Sequence, residues 1–373
     1  MLDRRTTMIR GMDISSLAEV EQCGGKFFDG GREMDLLQIL KGYGVNYIRL
    51  RLWNDPYAED GSPYGAGCSD FETTLSLAKR ALSQGFGFLL DLHYSDFWAD
   101  PGKQTIPKAW RGLDAQGLRQ AVYDFTIRTL EDFRAAGAMP TMVAVGNELS
   151  NGLLWPYGKT PHYNTIASLV SAGIRAVRDV DRALTVMLHL DNGGDNDLYR
   201  RWFDNYFANG GEDFEWIGLS YYPFWHGNLA ALEANMQDIA VRYKKDLIVA
   251  EVSMGFTMDD YQEYEGLCDA QRKGYATKPE LIAGLDYPMT KQGQADFMYD
   301  LMTRIRKVPE QRGKGFFYWE PAWLPRHGSE WATAAGREYI GEPGKGGNEW
   351  ANQALFDYEG NALPALGVIR DFC

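Results

Sequence analysis

Eight short apolar runs, most of them followed by an amphipathic stretch, constrain this chain more than any other feature. They are "MIRGMDIS" (8–15), "VNYIRLRLW" (45–53), "FGFLLDLHY" (86–94), "TMVAVGNE" (141–148), "LTVMLHLD" (184–191), "EWIGLSYY" (215–222), "LIVAEVSM" (247–254) and "GFFYWEPA" (315–322). Their length, apolar content and flanking glycines favour strands over helices. Between them "EMDLLQILKGYG" and "FETTLSLAKRALSQG" show helical periodicity and stop on glycine, the second behind the candidate caps Ser69 and Asp70. "GLRQAVYDFTIRTLEDFRAAG" and "TIASLVSAGIRAVRDV" read the same way. Strand and helix alternating eight times, with strands buried on both faces, is the pattern of a (β/α)8 barrel. A doubly wound open sheet shares the alternation, but no GxGxxG follows the first run. No linker or low-complexity tract interrupts the pattern, so residues 1–373 are expected to form one barrel domain.

Charge narrows the partners. A net charge of −13 argues against a nucleic-acid or anionic-membrane surface, which needs Lys and Arg to replace phosphate counterions. No run is long and apolar enough to span a bilayer. The opening "MLDRRTTMIRGMDISS" has no apolar core or cleavage signal of a leader, so the chain as written is expected in the cytoplasm, or outside the cell if an upstream leader has been removed. The cysteines at 23, 68, 268 and 373 form no CxxC pair and no metal-ligand spacing; they read as free thiols, with up to two disulfides open. No cofactor is expected, and the chain is expected to be a monomer.

A barrel gathers its chemistry at the C-terminal ends of its strands. Those ends carry Asp13; Arg49, Arg51 and Trp53; Asp91 and His93; Asn147 and Glu148; His189 and Asp191; Tyr222; Glu251; and Trp319 and Glu320. Glu148 ends the fourth run and Glu251 lies near the end of the seventh. Taken singly, each also suits a structural ion pair. Together, from strands three apart in a closed barrel, they can face each other over a substrate and divide labour as acid and anion. A separation of about 5–5.5 Å goes with retention, and about 6.5–9.5 Å with inversion. Asn147 supplies a donor for a sugar 2-hydroxyl, Arg49 or Arg51 can hold Glu251 ionised, and Tyr222 can donate to the same carboxylate. His93, with Asp91 and Asp96 nearby, lacks the second histidine a metal site would show, and no metal is expected there. Tryptophans in loop contexts such as "DFWADPG" and "YPFWHG" suit stacking on sugar C–H faces.

The segments "GMDISS", "IRLRLW", "DLHYSDFWADPGKQ", "VGNE" with "NGLLWP", "SYYPFW" and "YWEPAW" together resemble the arabinogalactan endo-β-1,4-galactanases of glycoside hydrolase family 53, in order from about residue 10 to the C-terminus. The resemblance implies a retaining (β/α)8 glycosidase that cuts β-1,4-galactan internally. It makes Glu148 the acid/base and Glu251 the nucleophile, Asn147 the 2-hydroxyl ligand, and Arg49 and Tyr222 the flanks of the nucleophile. It makes Asp13, His93, Trp98 and Trp319 cleft residues. Some bacterial relatives carry calcium in the loop between the last two strands. The run here, with Asp259, Asp260 and Glu263, lacks the alternating oxygen ligands of a calcium loop, so calcium is not expected. Two alternatives stay open at this point: another β-1,4-glycanase such as a mannanase or xylanase, and a non-catalytic sugar-binding barrel.

Overall fold

In a computed structural model, which describes residues 8–259, 277–342, 346–348 and 350–372, the eight apolar runs become eight parallel strands. They are β1 (Ile9–Asp13), β2 (Tyr47–Leu52), β3 (Gly87–Leu92), β4 (Met142–Val145), β5 (Thr185–Leu190), β6 (Trp216–Tyr221), β7 (Asp246–Val252) and β8 (Gly313–Trp319). Each pairs with its sequence neighbours, and β8 pairs with β1, closing the barrel. No edge is left open, which removes the doubly wound alternative.

The outer layer is α1 (Leu36–Gly42), α2 (Phe71–Ser83), α3 (Ala115–Ala135), α4 (Tyr163–Val180), α5 (Asn196–Ala208), α6 (Leu229–Tyr243), α7 (Lys291–Arg306) and α8 (Pro364–Asp371). Six begin on a side chain that accepts a first-turn backbone N–H: Asp35, Asp70, Asp114, Asp195, Asn228 and Thr290. Each such cap stabilises its helix by about 1 kcal/mol. Asp70, of the candidate pair Ser69 and Asp70, is the one whose side chain caps.

Alternate strand residues face opposite ways. Ile48, Leu50, Leu52, Phe88, Leu90 and Leu92 pack outward into the main hydrophobic core. Ile9, Leu89, Met142, Ala144, Met187, Ile248, Ala250 and Phe317 fill the barrel interior as a separate cluster. Gly11 is needed among them: a Cβ there would lie 2.2 Å from Phe317 Cδ1. The apolar plug gives way upward to a buried polar layer that includes Asp13, Arg49, Arg51, Asp91, His189 and Ser220. That layer is the floor of the site.

Two small antiparallel hairpins were not foreseen in the sequence: Phe27–Asp29 with Arg32–Met34, and Gly152–Leu153 with Gly158–Lys159. Cys23 and Cys68 are free thiols, while Cys268 and Cys373 lie outside the described residues. So does most of the run weighed for calcium, including Asp260 and Glu263; Asp259 hydrogen-bonds with Thr257.

Candidate active site

The dipeptide Asn147-Glu148 presents a geometric problem, because consecutive residues of a strand point to opposite faces. The chain solves it by leaving the strand early. β4 ends at Val145; Gly146 then takes φ +83° and Glu148 φ +47°. A Cβ on residue 146 would lie 2.6 Å from Leu149 Cδ2, so this turn takes glycine on both steric and torsional grounds. Gln104 Nε2, from the loop after β3, donates to the Asn147 carbonyl at 2.8 Å and pins the turn. Both side chains consequently line the same cavity.

Glu251 is delivered by a different irregularity. Its neighbours Ile248 and Ala250 face the barrel interior, so strict alternation would turn Glu251 outward to the helices. Opposite β8, Val249 pairs with Phe316 and Val252 with Tyr318, and opposite β6, Val249 pairs with Leu219 and Glu251 with Ser220. β7 therefore carries one extra residue relative to both neighbours. This bulge re-aims Glu251 inward, where it lines the cavity.

Arg49 ties the floor together. Its Nη1 donates to Asp13 Oδ2 at 2.7 Å. Its Nη2 faces Asp91 Oδ2 at 2.7 Å, Glu251 Oε1 at 2.8 Å and Asn147 Oδ1 at 3.0 Å. The other oxygen of Glu251 accepts from Tyr222 Oη at 2.7 Å. Asn147 Nδ2 donates to the Ala99 carbonyl at 2.9 Å, which fixes the amide's orientation and leaves one N–H. Glu148 Oε1 lies 2.6 Å from Ser220 Oγ, which lies 2.8 Å from His189 Nε2; His189 Nδ1 in turn lies 2.8 Å from Asn147 Oδ1.

The two carboxyls differ electrostatically. Burial pushes Glu148 well above the usual carboxylate range, and the negative charges of Glu251 and Asp191 add to it. Burial pushes Glu251 up as well, but Arg49 and the Tyr222 hydroxyl pull the other way. Of the facing pair, Glu148 is the one that holds a proton. Asp91 is brought down to about 2 despite burial by Arg49 and the nearby histidines, so it stays charged. Burial together with Arg49 takes His189 down to about 3, so its ring is neutral.

The cavity above this floor has a volume of about 460 Å³. Trp98, Trp225, Trp319, Trp331 and Trp350 line it, together with His93, Asp100, Lys103, Asp191 and Glu342. The Arg51 guanidinium carbon lies 4.5 Å from the Trp98 ring centroid, steadying that indole. Of the residues singled out in the sequence, Arg49, His93, Trp98, Asn147, Glu148, Tyr222, Glu251 and Trp319 all line the cavity. Asp13 does not. It is fully buried within the floor, where it accepts from Arg49 and from the Ser15 hydroxyl, so it is placed to orient Arg49 rather than to meet a ligand. His93 Nδ1 accepts from Trp53 Nε1 at 3.2 Å and from the Ala99 N–H at 3.3 Å. Its Nε2 donates to Asp91 Oδ2 at 3.1 Å. Ser220, Gln104 and Lys103 were missed in the sequence. Ser220 could have been found from alternation, since it lies two residues past the interior-facing Gly218, whose added Cβ would meet Met187.

An acid and an anion facing each other at the mouth of a closed parallel barrel, walled by indoles, define a glycoside hydrolase. The profile described as "Glycosyl hydrolase family 53" matches residues 9–369, and the chain belongs to that family. An endo-beta-1,4-galactanase of Bacillus subtilis (strain 168) is 36% identical over 97% of this chain and 85% of its own length. The solved GH53 catalytic domain of Ignisphaera aggregans superposes with a TM-score of 0.88 at 39% identity, covering 97% of this chain and 95% of that one. A structure from a study of two fungal beta-1,4-galactanases gives 0.78 at 29% identity, covering 98% and 100%.

Proposed function

We propose that this chain is a retaining endo-β-1,4-galactanase, cutting the internal β-1,4-galactosidic bonds of galactan and type I arabinogalactan by double displacement. In the first step a Glu251 oxygen bonds to the anomeric carbon as the glycosidic C–O bond breaks, and Glu148 gives its proton to the departing oxygen. In the second step Glu148 takes a proton from water, the hydroxide oxygen bonds to the same carbon, and Glu251 is released. The free N–H of Asn147 serves the 2-hydroxyl of the sugar, a bond that tightens as the ring flattens. Trp98 and Trp319 offer faces for the sugar C–H surfaces.

The single observation that carries this reading is the split environment of the pair. Glu251 has both oxygens held by Arg49 and Tyr222, as an attacking anion needs. Glu148 is buried with Ser220 as its side-chain partner and, among the described residues, no cation hydrogen-bonded to it, as a neutral acid needs. The family and the named relatives support galactan over mannan or xylan. Release of reducing ends from linear β-1,4-galactan, assayed beside mannan and xylan, tests the substrate. NMR of the first anomer formed tests the stereochemistry. Preferential cutting of mannan or xylan, or binding of galactan without cleavage, would overturn the reading.

A further inference from the structure

The route from Asn147 through His189 and Ser220 to Glu148 carries direction as well as distance. Asn147 Nδ2 is committed to the Ala99 carbonyl, so Asn147 Oδ1, which also accepts from Arg49, faces His189 Nδ1 as an acceptor. The ring nitrogen 2.8 Å from that oxygen must therefore bear the hydrogen. The buried ring is neutral, with Arg49 nearby opposing a second proton, so Nε2 is bare and needs a donor. The Ser220 hydroxyl is the group it contacts, at 2.8 Å. A hydroxyl has one hydrogen. Once that hydrogen points at His189, Ser220 Oγ offers Glu148 only lone pairs, and the 2.6 Å contact between two oxygens requires the hydrogen of Glu148.

We infer that Ser220 and His189 are positioning residues that hold a proton on Glu148, through a one-way chain in which Glu148 donates to Ser220, Ser220 to His189 and His189 to Asn147. The inference rests on the reading of Glu148 as the acid/base and supplies the local device that readies it. Three hydrogen bonds form when Glu148 is protonated. When it is ionised, Ser220 must turn to serve the carboxylate and His189 Nε2 loses its donor, leaving two. Ionisation must break the neutral Ser220–His189 bond, so His189 raises the acid's pKa by about half a unit to one unit over what a freely donating Ser220 would give. Among the described residues, the charges that act most on Glu148 are those of Glu251 on β7, Asp191 after β5 and Asp100 in the loop after β3. All three are carboxyls and act in the same direction without setting where the hydrogen points. His189 also faces Arg49, Asp91 and His93.

The direction of the chain makes the test sharp. If Ser220 instead donated to an ionised Glu148, its hydrogen would not engage His189, and removing the ring would leave the acid's pKa in place; in the chain inferred here, removing the ring lowers it. For His189→Phe, which frees the Ser220 hydroxyl for the carboxylate, the basic limb of kcat/KM on galactan should move down by about half a unit to one unit. A limb that stays put or rises in His189→Phe overturns the inference. Neutron diffraction from the deuterated wild-type protein near pH 6 provides a measurement that needs no variant to fold. Deuterium on His189 Nδ1, and on Ser220 pointing to His189, is the expected result; deuterium on His189 Nε2, or on Ser220 pointing to Glu148, overturns it. If the wild type cuts no galactan, the proposed function falls, while the deuterium positions still decide the chain.

Discussion

Replacing Tyr222 by Phe takes one hydroxyl from the site and leaves the ring that packs against Trp225 and Trp350. That hydroxyl lies 2.7 Å from Glu251 Oε2, and Glu251 is only 6% exposed, so bulk water is poorly placed to replace it. A hydrogen bond to a charged group contributes about 1.5–3 kcal/mol. At 1.36 kcal/mol per unit, its loss raises the pKa of the nucleophile by about 1–2 units. Glu251 must be ionised to attack, so activity climbs as pH rises through that pKa, and the acid limb of kcat/KM should shift to higher pH by the same amount. At a pH below the new limb the loss is roughly ten- to hundred-fold. The limb belongs to the coupled pair rather than to one residue, but Tyr222 touches only the Glu251 member by hydrogen bond. The assay is a pH profile of galactan hydrolysis, with circular dichroism to verify folding. A variant that loses activity while its acid limb stays in place would refute the reasoning, because the hydroxyl would then be acting on the sugar.

On an activated aryl substrate with azide, Glu148→Ala should yield the β-glycosyl azide and Glu251→Ala the α-glycosyl azide; the opposite pairing, read by NMR, would exchange the two roles. Asp13→Ala leaves the buried Arg49 short of one counter-ion and should cost about 3–5 kcal/mol of stability, measured as the urea midpoint at constant slope. Gly146→Ala should cut kcat by roughly tenfold or more with the barrel intact, since a 1 Å displacement of Asn147 and Glu148 is of that consequence; unchanged kinetics would show that the turn tolerates a side chain. Burial holds Glu19 at about 7 against an ordinary 4.5. A folded value above the unfolded one means that its contribution is complete below about 4.5 and lost as pH rises through 7. The denaturation midpoint should therefore fall across that window, and Glu19→Ala should flatten the slope.

The barrel was legible because buried parallel strands read as apolar runs and the intervening helices carry their own caps and glycine stops. The candidate site was legible to the extent that it lies at strand ends: Arg49, Asn147, Glu148, Tyr222 and Glu251 all reach one cavity. What the sequence concealed depends on departures from regular geometry. Counting alternate residues along β7 points Glu251 away from the barrel interior, and only the pairing register shows the extra residue that turns it back. The resemblance made Asp13, at the end of β1, a cleft residue, yet Arg49 lies between it and the cavity. Ser220 carries no signature of its own. Its role depends on a ring and an amide whose orientations are fixed by contacts far away in sequence.

The extra residue in β7 uncouples being folded from being competent. Sliding the residues past Val249 by one register step, with none removed, would let the strand zip evenly against both neighbours, satisfy its backbone and send the carboxylate to the wrong side of the wall. Such a chain could pass every test of compactness and melt cooperatively, yet remain inert. Screens for stabilised variants of this enzyme that score only heat resistance would therefore tend to reward the straightened strand, and turnover has to be selected alongside.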